Sequence, residues 1–197
     1  MAVKLTDDEV AAIGTLNGGW SWGLITVPEE ETATAVARGI RSLMVRGLVT
    51  EEGVAGEIVK ISTFSGSTHT VASASVTEDG IPSRPVLQVL LIQHGEEDEG
   101  WLLDVCSPEG IHRMEFLDDA SASDYLQQLC GAYAAARPED QEDNLALLSI
   151  RDGEYDGILI NGSVLRAVRE GDKVEGIEVL AADSGKADWS KLVATLL

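Results

Sequence analysis

The sequence predicts an α+β protein in which an antiparallel sheet is flanked by helices. Strand-like segments with short polar turns gather between residues 57 and 117 and again between 145 and 182. Helical periodicity is confined to segments near 6–16, 29–46, 121–136 and 186–197, so hairpins and helices are segregated. A chain of 197 residues that is 44% hydrophobic can bury a substantial core, and residues 1–197 read as one compact domain.

Thr6 and Glu9 form a T-x-x-E capping box, and Val10, Ile13 and Leu16 follow at helical spacing. Asn17, Gly18 and Gly19 end that helix. WSWGLITV alternates Trp20, Trp22 and Leu24 as a strand and stops at Pro28. Glu29 to Glu31 place negative charge at the next helix N-terminus, where Val36, Ile40, Leu43 and Met44 form an apolar stripe. Gly47 is placed as its left-handed cap.

EIVKIST from Glu57 and THTVASASV predict two strands around the SGS turn, with a short helix as the alternative for the first. PVLQVLLIQH is an uninterrupted apolar run, which suits a central strand covered on both faces. With GWLLDVC and IHRMEFL it makes a three-strand meander. Ser121, with Asp124 three residues later, opens the helix that Arg137 and Pro138 stop. LALLSI, GILI, SVLRAV and KVEGIEVLA add more sheet, although the first also suits a helix. Trp189, Leu192, Val193 and Leu196 then line a closing helix. Trp20, Trp22, Trp101 and Trp189 are all expected to be mostly buried.

GIHRMEFLDDASASDYLQQL from Gly110 can be laid beside GIEVLAADSGKADWSKLVATL from Gly176, pairing Ile111 with Ile177 and Asp124–Tyr125 with Asp188–Trp189. The match suggests two related sub-halves, 1–137 and 138–197, and shared α/β grammar explains it equally well.

A formal charge of −20 with only 14 basic residues disfavours nucleic acid and anionic lipid as partners, because both are held by clustered Lys and Arg. Cys106 and Cys130 lie in apolar-patterned segments and read as small buried hydrophobes, which favours a cytoplasmic protein, with a disulfide between them left open. The start MAVKLTDDEV lacks an apolar signal-peptide core, and no stretch approaches the roughly 20 apolar residues of a spanning helix.

Catalytic constellations are missing from the linear sequence. His69, His94 and His112 form no HxH, HxxxH or HExxH pair, so no metal is expected. Cys106 and His112 can approach across the SPEG hairpin, but two ligands do not close a zinc site. FSGSTH brings Ser65, Ser67 and His69 close without a nucleophile elbow, and no glycine-rich phosphate loop implies a cofactor. Asp118 with Asp119 reads as a solvated turn, and DGEYDG lacks the calcium-loop ligand series. The expectation is a non-catalytic protein, with an enzyme assembled from scattered Asp, Glu and Tyr as an alternative. A second alternative is a winged-helix-like DNA binder or regulator, since Arg38, Arg41 and Arg46 give the long helix a positive side before RGLVTEEG.

The order LTDDEVAAI, WSWGLITV and EEETATAVARGIRSLMVRGLVTEEG resembles the opening of the EspG-like chaperones of actinobacterial type VII secretion. The pattern continues through PVLQVLLIQH, GWLLDVC and GIHRMEFLDDASASDYLQQL, over about two-thirds of the chain. The resemblance implies a cytosolic, non-catalytic holder of an aggregation-prone helical secretion substrate, and it carries over no binding residue. An apolar groove rimmed by acids is therefore expected. The four-acid hairpin tip Glu96, Glu97, Asp98 and Glu99 is the preferred contact for a basic protein partner, and self-association into a homo-oligomer is compatible with the same features.

Overall fold

The computed structural model describes residues 2–18, 27–76, 88–93, 100–136, 144–170 and 173–197. The expected Trp20–Trp22 strand lies outside the described residues.

Thr6 caps the first helix as its sequence dictates, accepting from the Glu9 amide while the Glu9 carboxylate accepts from the Thr6 amide. Immediately before it runs a strand that the sequence reading missed, β1 (Val3–Thr6), leading directly into α1 (Asp7–Gly14). After α2 (Thr32–Val45), Gly47 adopts the left-handed conformation expected of it, with φ +69°. A small ladder, β2 (Val49–Thr50) with β3 (Gly53–Val54), then leads into a third helix, α3 (Gly56–Thr63).

α3 corrects the strand expected at EIVKIST. Ile58, Ile61 and Ser62 are buried at i, i+3 and i+4, so this segment is packed on one helical face and its β-branched content does not decide. The face of α2 is also corrected. Ala35, Gly39 and Leu43 are buried, whereas Ile40 and Met44 of the expected stripe are exposed. Small residues on the buried side let α1 approach closely, and that contact outweighs the larger apolar side chains.

The main sheet then unfolds as two antiparallel meanders. The first is β4 (His69–Val76), β5 (Gln88–Gln93), β6 (Trp101–Cys106) and β7 (Ile111–Leu117), followed by α4 (Asp119–Ala136). The second is β8 (Asn144–Arg151), β9 (Glu154–Ile160), β10 (Val164–Glu170) and β11 (Lys173–Ala181), followed by α5 (Trp189–Val193). The strand order is β1-β7-β6-β5-β4-β8-β9-β10-β11, all pairs being antiparallel, which makes the fold α+β. Ile111 and Ile177 both lie on the last strand of a meander. The helices are not matched in the same way, since Asp188 caps α5 while Asp124 lies inside α4. The α4 cap is Asp118, which accepts from the Ser121 amide at 2.7 Å, so that helix starts earlier than expected.

Two layers cover the sheet unequally. On one face Val71, Val89, Leu91, Leu103, Leu145, Leu147, Ile158 and Ile160 pack with Ala122, Leu126 and Cys130 of α4 and with Val193 and Leu196 at the C-terminal end. On the other, Leu5, Leu90, Ile92, Leu102 and Met114 pack with Val10, Ile13, Leu43, Ile58 and Ile61 from α1, α2 and α3. β5 is buried on both sides, as its apolar run predicts. Trp101 is buried and donates to Asp119 at 2.8 Å, while Trp189 is only half-buried beside Gly131. Each Leu, Ile or Val so buried contributes roughly 1.5–3 kcal/mol relative to exposure.

Candidate functional site

Cross-strand register carries one face of the sheet out from beneath its helical cover. Leu90 opposes Ala72, Ala72 opposes Leu148, and Leu148 opposes Gly157, so these positions share the face that α1, α2 and α3 cover. Leu90 is buried there, but Leu148 is 39% exposed. Farther out, Leu159 opposes Leu165, Leu165 opposes Val179, and Ala167 opposes Ile177. Ile177 is 68% and Val179 60% exposed, and no described helix lies over them.

The result is an apolar groove of about 440 Å³, floored by Ala74, Ala146, Leu148, Leu159, Leu165 and Ala167 and flanked by Tyr155 and Ile177. Gly157 notches its floor, because a Cβ there would stand 2.6 Å from the Leu147 carbonyl oxygen. The charged residues lining it are Asp156, Arg166 and Arg169. Asp156 and Arg166 are ion-paired, so the groove edge among the described residues is not the acidic rim expected. The tip Glu96, Glu97, Asp98 and Glu99 lies outside the described residues. The sequence signal for the groove is the pairing of adjacent apolar residues, Leu147–Leu148, Ile158–Leu159 and Val164–Leu165, which gives these strands two apolar faces.

Arg38, Arg46, Ser67 and His69 have local partners. Arg38 grips Asp8 at 2.7 and 3.0 Å, and Arg46 bonds Glu9 at 2.7 Å and the Lys4 carbonyl at 2.9 Å. Both arginines thus turn to α1 rather than forming a free cationic face for phosphate. Ser67 bonds the backbone of His69 and shapes the turn into β4. The His69 ring is buried, with Nε2 at 3.2 Å from the Leu196 carbonyl and 3.3 Å from Ser149 Oγ. DGEYDG is the β8–β9 hairpin, turned by Asp152 and Gly153 at positive φ.

A denser polar cluster lies under the N-terminus of α1. His112 is fully buried, with Nδ1 at 2.7 Å from Asp104 and Nε2 at 2.8 Å from Asp7. Cys106 Sγ lies 3.6 Å from the same Nε2. Asp104, Cys106 and His112 meet because the β6–β7 register sets Cys106 opposite His112 and leaves Asp104 two residues back on the same face. Asp7 arrives from α1, a long-range contact with no linear signature.

Burial opposes charge on His112, but its bonds to Asp104 and Asp7 outweigh burial and raise its pKa. Burial raises Asp104, with His112 opposing. Burial, aided by the charges of Asp104 and Asp7, pushes the Cys106 thiol up to about 11. Cysteine, histidine and aspartate therefore stand in the order of a nucleophilic relay, yet Asp7 occupies the nitrogen that would take the thiol proton. As it stands the arrangement keeps the thiol protonated.

No protein-family model and no curated protein matches this chain. No described helix is long and apolar enough to cross a membrane.

Proposed function

We propose that the protein is a non-catalytic, chaperone-like holder that receives the apolar side of a helical protein partner on the open face of β8–β11. The observation that carries this reading is the continuity of that face with the half covered by α1, α2 and α3. The covered half supplies an internal precedent for the occupant, since helices bury their apolar stripes on this same surface. A contiguous apolar groove is the kind of surface that protein partners use. The resemblance to EspG-like chaperones supports a helical secretion substrate as that partner and the cytosol as the place of binding.

A photo-crosslinking residue at Ile177, compared with one at exposed Val45 on α2, tests the reading in the native host. Crosslinks to helical proteins from position 177, absent from position 45 and abolished by Leu165→Glu, are expected. Adducts only to further copies of this chain, or equal adducts at both positions, overturn it.

A further inference from the structure

Asp7, Cys106 and His112 present one carboxylate oxygen, one sulfur and one imidazole nitrogen within 4.8 Å of one another. Zinc takes this donor set, with bonds that imply a nitrogen–sulfur separation of about 3.6 Å and a nitrogen–oxygen separation of about 3.4 Å at a tetrahedral ion. The first is the distance found between His112 Nε2 and Cys106 Sγ, 3.6 Å. The second exceeds the 2.8 Å hydrogen bond from Nε2 to Asp7, so an ion requires Asp7 to draw back. Asp7 is the partly exposed member of the set, at 20% of its side chain, and stands at the start of α1.

Two further observations point to an ion. Asp104 binds Nδ1 from behind, which fixes the ring with Nε2 aimed at Asp7 and Cys106, the outer-sphere arrangement common to metal-bound histidines. The SPEG turn also makes room for the carboxylate, since a Cβ on Gly110 would stand 2.2 Å from Asp7 Oδ2.

We propose that Asp7, Cys106 and His112 hold a zinc ion, with Asp104 orienting the imidazole and water completing the site on the Asp7 side. Binding takes a bare Nε2 and a thiolate, so it releases the thiol proton together with any proton carried on Nε2. The Nδ1 proton stays on its bond to Asp104. The divalent charge supplies what the two carboxylates deny the thiol, because a coordinated cysteine is deprotonated outright. The ion pins the start of α1 to the β6–β7 hairpin and so fixes the helical layer on its half of the sheet.

The full-length protein, stripped with a chelator and titrated with cobalt(II) as a spectroscopic stand-in, tests this. One equivalent is expected to give the intense visible bands of a tetrahedral ion and a thiolate charge-transfer band, both displaced by zinc, with zinc also raising the melting temperature. Cys106→Ser is expected to lose the charge-transfer band, and Asp104→Asn to keep it while binding about 10–100-fold more weakly. Should Cys106→Ser fail to fold, zinc protection of the wild-type thiol against alkylation, lost in Asp7→Asn, carries the same information. A spectrum of free aqueous cobalt, or a thiol that zinc leaves unprotected, overturns the site.

Discussion

Gly39 of α2 lies so close to Asp8 of α1 that a Cβ there would stand 1.9 Å from the Asp8 carbonyl oxygen. The Asp8 carbonyl carbon follows at 2.5 Å and the Ala12 Cβ at 2.9 Å, so the two helices meet through backbone and methyl groups. Gly39→Ala is expected to destabilise the protein by about 1–3 kcal/mol despite its better helix propensity, because carbonyl and helix must move apart. Urea unfolding checks this. An unchanged or raised midpoint refutes the close crossing.

Glu9 is the polar anchor of the same crossing. It is 1% exposed and accepts from Ser42 Oγ at 2.7 Å, from Arg46 at 2.7 Å and from the Thr6 amide at 3.0 Å. Glu9→Ala removes the acceptor for all three and is expected to cost about 3–5 kcal/mol, whereas Arg46→Ala costs less because Arg46 is partly solvated. Equal midpoint shifts for the two variants in denaturant unfolding would contradict this asymmetry.

Acid sensitivity follows from His69. Burial lowers its pKa, and the charge of Arg151 adds to the effect against opposing bonds from Gln93 and Leu196. The unfolded ring takes a proton near pH 6.5, its ordinary value, while the folded ring stays neutral until lower pH. Its contribution is therefore complete above about pH 6.5 and is lost as pH falls through the folded pKa. His112, shifted upward, acts with the opposite sign, its contribution being complete below about pH 6.5 and lost as pH rises through its folded pKa. Measured from about pH 7.5 to 5.5, the urea midpoint of the wild type should drop relative to that of His69→Gln. A parallel fall in both assigns the acid sensitivity elsewhere.

The sheet was legible in the sequence where period-two patterning met clear turns. β5, β6 and β7 follow the apolar run, SPEG and the alternation of IHRMEFL, and Thr6–Glu9 announced α1. Two misreadings have a common cause. EIVKIST carries strand-like residues and α2 carries a stripe of large ones, yet packing chose the faces that let α1, α2 and α3 lie close to the sheet. Local propensity is a weak prior where tertiary contact competes. The polar cluster was half visible, as Cys106 and His112 across a hairpin. Asp7 joins them from 105 residues away from His112, a contact that no spacing reveals.

The two faces of β8–β11 should respond differently to substitution. Leu147 lies on the α4 side at 1% exposure, within the cluster formed with α4 and α5, and Leu147→Ala is expected to cost about 2–5 kcal/mol through lost burial and a cavity. Ile177, on the open side at 68% exposure, has little burial to lose, so Ile177→Ser should stay within about 0.5 kcal/mol of wild type. Thermal and urea unfolding of both variants distinguish a sheet with one open face from one covered on both sides. If Ile177→Ser destabilises the isolated protein as much as Leu147→Ala, the face is already occupied within the chain and is not offered to a partner.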